Sequence, residues 1–230
     1  MQDPAFHLPD DLVPVRTGDG SMTLDSPGLG EHYHSLFGAA TESRHVYVQQ
    51  GLLAAGATQV DVLEVGLGTG LNALLTWQQC VQRGIQVRYW AVEPLPLPQE
   101  VWQGLGHASA MDEPDAEAVH QALMTAEAGR WLDPMDGFAF RCERGRVQDL
   151  SRTEAFDLVY YDAFAPSIQP EMWTVDVFVR VGRAMRPGGI LVTYCAKGDV
   201  RRAMQDAGLL VERLPGPPGK RQMLRATRPR

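Results

Sequence analysis

Apolar residues along this chain follow two rhythms. From about residue 60 onward, short runs of branched and aromatic residues near 60–65, 86–92, 138–142, 156–161, 189–195 and 209–214 read as strands. Between them, apolar residues return every three or four positions near 70–82, 115–129, 174–185 and 199–207, which reads as helices. Strands alternating with helices predict a mostly parallel sheet with crossover helices on its faces. After the loop Gly216-Pro217-Pro218-Gly219, residues 221–226 are expected to return as an antiparallel edge strand.

The first part of the chain has a different pattern. Val13-Pro14-Val15-Arg16 and Ser21-Met22-Thr23-Leu24 flank a Thr17-Gly18-Asp19-Gly20 turn, and Asp-Gly supplies the positive φ angles of a tight hairpin. A loop with Tyr33, His34, Ser35 and Phe37 follows, then a helix expected over 41–53. Residues 1–58 therefore read as a small cap and 59–230 as the main α/β domain. No internal repeat or low-complexity segment interrupts this plan.

Composition narrows the classes. At 230 residues, 44% hydrophobic and 21% charged, the chain can bury the core of one soluble domain. No run approaches the roughly eighteen apolar residues of a membrane span. Met1-Gln2-Asp3-Pro4 carries an acid where a secretory signal carries bases, so a cytoplasmic setting is expected. Cys80, Cys142 and Cys195 lack metal or CxxC spacing and read as reduced, buried thiols. The net charge of −7 opposes nonspecific nucleic-acid binding, but the tail reverses it: nine bases from Lys197 to Arg230 face three acids.

The candidate chemistry clusters at strand ends. Gly66-Leu67-Gly68-Thr69-Gly70 is a G-x-G-x-G turn from strand to helix, where backbone can approach a ligand and amide hydrogens stay free. Leu71 stands where a dinucleotide fingerprint needs its last glycine, so a cofactor without a pyrophosphate fits better, with S-adenosylmethionine foremost. Glu64, just before the turn, is placed to act near the amino group of such a cofactor. Glu93, twenty-three positions after Gly70 and at a strand end, is placed to accept ribose hydroxyls. Asp162 ends the strand at 156–161, where open α/β sheets bind ligands, and Phe164 and Trp173 are candidates to stack on a planar base. His32, His34 and His45 match no standard metal spacing, and no metal is expected.

Several separated motifs carry a resemblance. Tyr33-His34-Ser35, Glu42-Ser43-Arg44-His45-Val46-Tyr47, Glu64 to Asn72, Asp162 to Pro166, Pro170-Glu171-Met172-Trp173, Val200-Arg201-Arg202 and Gly219-Lys220-Arg221-Gln222-Met223-Leu224 occur in order. Together they make the chain resemble the methyltransferase part of the MnmC-type tRNA-modifying enzymes, in the free-standing form often called MnmD. The resemblance implies a class I S-adenosylmethionine-dependent methyltransferase (Rossmann-like) sheet with a small N-terminal β-hairpin cap. It implies methylation of the amine of 5-aminomethyl-2-thiouridine, or its oxygen analogue, at the tRNA wobble position. Tyr33 and Asn72 then join Glu64, Gly66, Gly68, Gly70 and Glu93 around the cofactor. The family commonly has Gly-Asp after the third strand, near the adenine; here Arg146 follows Gly145, and Asp149 is expected to substitute.

Asp162 is expected to orient the amine and take its proton, with Tyr33 and Phe164 excluding water, and Arg201, Arg202, Lys220 and Arg221 are expected to receive tRNA. No second glycine fingerprint is present to hold a flavin, so another enzyme is expected to supply the amine. Two competing readings share the sheet and glycine turn: an aminopropyltransferase-like or small-molecule methyltransferase, and a noncatalytic RNA-binding module. The basic tail favours RNA over a small molecule, and the intact acids favour catalysis over a binding module.

Overall fold

A computed structural model describes residues 11–230; the amino-terminal segment from which the cytoplasmic expectation was read lies outside the described residues. Two sheets organise the chain. The first is antiparallel, with β1 (Val13–Arg16) paired to β2 (Met22–Ser26) and β2 to β3 (Glu31–His32). It contains the hairpin anticipated from the Asp-Gly turn. Helix α1 (Ala39–Ser43) then runs on as a π-helical segment, Arg44–Leu53. This segment buries Val46, Tyr47, Val48, Gly51 and Leu52, and a Cβ at Gly51 would stand 3.0 Å from the Tyr160 ring and 3.1 Å from Val192.

The second sheet has eight strands in the order β10-β11-β9-β8-β4-β5-β7-β6. Its centre is parallel: β4 (Gln59–Val65) lies between β5 (Gln86–Val92) and β8 (Phe156–Tyr161). β7 (Phe138–Glu143) and β9 (Met185–Thr193) extend it on either side. Chain direction of travel through the sheet reverses at β4, leaving a crevice at the carboxyl ends of β4, β5 and β8 where such sheets bind ligands. Both faces of the central strands are covered, which is why their sequences are nearly continuous apolar runs. On one face Trp77, Tyr89, Phe140 and Tyr160 pack with α2 (Leu71–Arg83) and α4 (Ala116–Met124); Leu24, Tyr47 and Leu52 of the cap belong to the same core. On the other, Trp90, Val159, Tyr161 and Phe178 pack with α5 (Val175–Ala184) and α6 (Gly198–Asp206).

The returning strand differs from expectation. β11 (Gln222–Thr227) is antiparallel but lies inside the sheet, between β9 and β10 (Leu210–Pro215), and β10 forms the edge. Burial explains the inversion: Met223, Leu224 and Ala226 are fully enclosed, whereas Leu210 is 63% exposed. Three short elements went unread, β3, α3 (Gln99–Gln103) and β6 (Leu132–Met135), each too brief to develop a period. Among the described residues, no helix is long and apolar enough to cross a membrane.

Candidate cofactor and amine site

The turn after β4 is fixed by glycine geometry. Gly66 has φ 89°, and a Cβ there would stand 2.6 Å from the Asp162 carbonyl oxygen, so only glycine lets the ends of β4 and β8 lie this close. Gly70, at φ 76°, precedes α2 and would drive a Cβ to within 2.7 Å of Met124 Sδ. Between them the Gly68 amide donates to Glu93 Oε2 at 3.2 Å, and Leu95 N–H donates to Glu93 Oε1 at 2.8 Å. Burial raises the Glu93 carboxyl above its usual range, and these backbone donors act against that shift.

Around the turn opens a cavity of about 350 Å³, inside the common range for small-ligand sites. Tyr33, Gly66, Gly68, Glu93, Asp162 and Phe164 line it, six of the residues singled out from sequence. Tyr33 and Phe164 meet edge to face with ring centroids 4.9 Å apart. Asp162 Oδ2 accepts 2.8 Å from Asn72 Nδ2, and burial lifts its pKa while neighbouring His34 and the Tyr47 hydroxyl lower it. A carboxyl so placed is a stronger base than one in water.

Four expected cofactor contacts do not reach the cavity. Gly70 serves the helix start. Asp149 turns outward, with a side chain 66% exposed and paired 3.4 Å from Arg146. Its neighbour Gln148 lines the cavity instead, and Gln148 Oε1 is buried without a hydrogen-bond partner. A free amide acceptor beside Val147 and Leu95 suits the amino group of a purine, and Glu93 suits paired ribose hydroxyls, so the donor set fits a nucleoside cofactor. Glu64 and Asn72 lie behind the cavity wall: Glu64 is fully buried, and Asn72 Nδ2 donates both to Glu64 Oε1 at 3.0 Å and to Asp162. Trp173 also departs from expectation, because it is buried and its Nε1 donates to the Phe164 carbonyl at 2.8 Å rather than facing a ligand.

A fully buried and a half-buried carboxyl sharing one amide cannot both carry charge cheaply. Burial holds Glu64 well above the usual carboxyl range, its Oε2 has no hydrogen-bond partner, and the Tyr89 hydroxyl neighbours it. Burial thus drives Glu64 toward its protonated form, and Asn72 ties its carboxyl to that of Asp162. A raised folded pKa gives stability that is present below the unfolded value of about 4.3 and lost as pH rises toward the folded value. Glu64→Gln keeps the acceptor and removes the titration. It should gain on the wild type by up to about 1.4 kcal/mol per pH unit above pH 5, read by urea unfolding at pH 5.5 and 8. Parallel stability curves would show that Glu64 is charged in the folded protein.

The basic residues separate into two groups. Lys220 lies against Tyr194 of the cavity wall, its Nζ 4.0 Å from the ring centre and 2.5 Å from Glu42 Oε1. Arg221 beside it is exposed. Arg201 and Arg202 lie on α6, bonded to Gln205 and Asp199. Of the histidines, His32 and His34 both line the cavity, His32 pairing with Asp25 at 3.2 Å and His34 Nε2 lying 3.4 Å from Thr69 Oγ1, while His45 stands apart with Nε2 2.9 Å from the Pro215 carbonyl. Sequence reasoning also missed Arg146, Gln169, Glu171 and Tyr194 at the cavity wall; the first three sit in loops that no strand signal marks, whereas Tyr194 lies in the run at 189–195 and directly follows β9, the strand-end position that singled out Asp162.

A model of the S-adenosyl-L-methionine-dependent methyltransferase family matches residues 142–229. The chain is 32% identical over 238 residues to the tRNA 5-methylaminomethyl-2-thiouridine biosynthesis bifunctional protein MnmC of Burkholderia multivorans, covering 94% of this chain and 35% of that protein. To the protein of the same name from Cupriavidus necator it is 35% identical over 211 residues, covering 86% and 32%. The chain thus spans about a third of the length of these curated relatives. Its fold matches the crystal structure of MNMC2 from Aquifex aeolicus with a TM-score of 0.73 at 22% identity, over 97% of this chain and 72% of that one. Spermidine synthase from Thermotoga maritima matches with a TM-score of 0.56 at 11% identity, over 97% and 72%; that likeness is one of fold.

Proposed function

We propose that this relative of the MnmC proteins, whose fold is that of the class I S-adenosylmethionine-dependent methyltransferases, methylates the primary amine of 5-aminomethyl-(2-thio)uridine at the wobble position of tRNA. The observation that carries the reading is Asp162: a cavity-facing carboxyl with a raised pKa, held by Asn72 beside the glycine turn and the Tyr33–Phe164 pair. The product is the methylaminomethyl uridine, and the setting is the cytoplasm, where tRNA resides.

S-Adenosylmethionine, when bound, supplies the electrophilic methyl group. Glu93 would hold its ribose, Gln148 its base, and Gly66 and Gly68 the backbone wall beside it. The protein's own residues answer for the amine. An alkyl amine with a pKa near 10.4 costs roughly 4–5 kcal/mol to deprotonate at pH 7, and the uridine-linked amine is less basic. Asp162 accepts an amine hydrogen at Oδ1 or Oδ2 and takes the proton, while Asn72 and Glu64 keep the carboxyl from turning away. A carboxylate alone would also stabilise the ammonium form. Enclosure by Tyr33 and Phe164 opposes that by disfavouring charge, and positioning of the amine contributes further.

The test is methyl transfer from S-adenosylmethionine to tRNA carrying the unmethylated aminomethyl uridine, read by mass spectrometry of the nucleosides. The expected result is a single added methyl on that nucleoside. Methylation of small amines with none on tRNA would favour the small-molecule reading.

A further inference from the structure

Outside the cavity, the least explained surface is the turn between Tyr33 and α1. Phe37 is 65% exposed and Leu36 44%, large apolar side chains standing side by side in solvent. The turn is nevertheless held firmly. Gly18 N–H donates to the Leu36 carbonyl at 2.8 Å, Gly38 N–H to the Ser35 carbonyl at 3.1 Å, and Phe37 N–H to Ser35 Oγ at 3.2 Å. From the far side the Phe37 ring rests against the Gly219 backbone, so closely that a Cβ at Gly219 would fall within the ring's own contact radius. One face of the ring is thereby fixed and the rest is offered to solvent.

The location gives the patch meaning. His34, three residues before Phe37, lines the cavity, and Lys220, next to Gly219, lies over Tyr194 of the cavity wall. Arg221 and Arg44 are exposed and form no ion pair among the described residues, in a chain with a net charge of −7. Arg44 adjoins His45, which holds the Pro215 carbonyl at the base of the same loop. A fixed, exposed aromatic ring with unpaired basic residues, on segments that adjoin the cavity through His34 and Lys220, suits single-stranded RNA, whose unstacked bases lie on aromatic faces while phosphates meet Arg. Unpaired arginines on an acidic chain favour a polyanion, and the aromatic ring beside them favours one with unstacked bases.

We propose that Leu36 and Phe37, with Arg44 and Arg221, dock the anticodon loop, the Phe37 ring stacking on an unpaired base beside the nucleotide being methylated. This rests on the tRNA reading above and names the surface through which that substrate is held.

The experiment compares Phe37→Ala and Phe37→Tyr in tRNA methylation kinetics, with calorimetry of S-adenosylmethionine binding and thermal melting as controls. Loss of one stacked base should raise the tRNA KM about tenfold in Phe37→Ala, with kcat and cofactor affinity unchanged, and Phe37→Tyr should restore it. An unchanged KM in Phe37→Ala, with a normal wild-type rate, overturns the docking surface and leaves the function standing. A KM that rises equally in both variants overturns stacking. No methyl transfer to tRNA by the wild type overturns the tRNA reading and with it the premise. Loss of a captured protein partner in Phe37→Ala, with wild-type tRNA kinetics, overturns the RNA assignment.

Discussion

Asp162→Asn should cut methyl transfer on the order of a hundredfold or more while leaving S-adenosylmethionine affinity nearly intact, since that is the range a positioned general base contributes. The substitution is close to isosteric: an amide oxygen at the Oδ2 position still accepts from Asn72 Nδ2, so the 2.8 Å contact and the shape of the wall survive. What disappears is the proton acceptor. The pH dependence carries the sign. Burial raises the Asp162 pKa, so the wild-type rate should fall as pH drops through a value above the ordinary carboxylate range. The variant has no such group and depends on solvent for its neutral amine, so its deficit should narrow as pH rises. Single-turnover rates from pH 6 to 9 read both limbs. Wild-type turnover of the variant at neutral pH would show that Asp162 is a structural acid.

How much of this was readable beforehand depended on whether a residue's role came from its own position or from its neighbours. The parallel strands were legible because burial on both faces forces nearly continuous apolar runs, and 86–92 and 156–161 were delimited to the residue. Gly66, Glu93 and Asp162 were legible for a related reason, since each ends a strand or sits in the turn that follows one. Glu64 was misplaced by one step of that logic. Strand residues alternate sides, and its side chain points to the Tyr89 and Tyr160 face, where it meets Asn72 and not the cavity. Asp149 was misplaced because a short 3₁₀ turn over Val147–Asp149 rotates adjacent side chains apart, sending Gln148 inward and the acid outward. Lys220 was read as part of the basic tail expected to receive tRNA, and nothing local announces Glu42, 178 positions away, as its partner. Pairings across that distance are fixed by the packed sheet and cap, which no local pattern encodes.

Glu93→Ala should weaken S-adenosylmethionine binding at least a hundredfold. Glu93 is fixed by the sheet itself: its N–H donates to the Glu143 carbonyl at 3.0 Å, continuing the β5–β7 ladder one residue beyond the strand. Each carboxylate oxygen already accepts one backbone hydrogen, from Gly68 and from Leu95, and each keeps a further lone pair. Two ribose hydroxyls would occupy those acceptors. Hydrogen bonds to a charged group contribute about 1.5–3 kcal/mol each, so losing two corresponds to more than two decades in Kd. Ala also releases the Gly68 amide, loosening the turn that walls the cavity. Glu93→Gln separates these effects, because it keeps one acceptor and a polar anchor for the turn and should fall between Ala and wild type. Since burial raises the Glu93 pKa, wild-type affinity should decline as pH falls through a value above the usual carboxyl range, while the affinity of Glu93→Gln stays flat in that window. Calorimetry of S-adenosylmethionine binding from pH 5.5 to 8 measures all three proteins without any methyl acceptor present. A Glu93→Ala affinity within twofold of wild type would mean that Glu93 only braces the glycine turn.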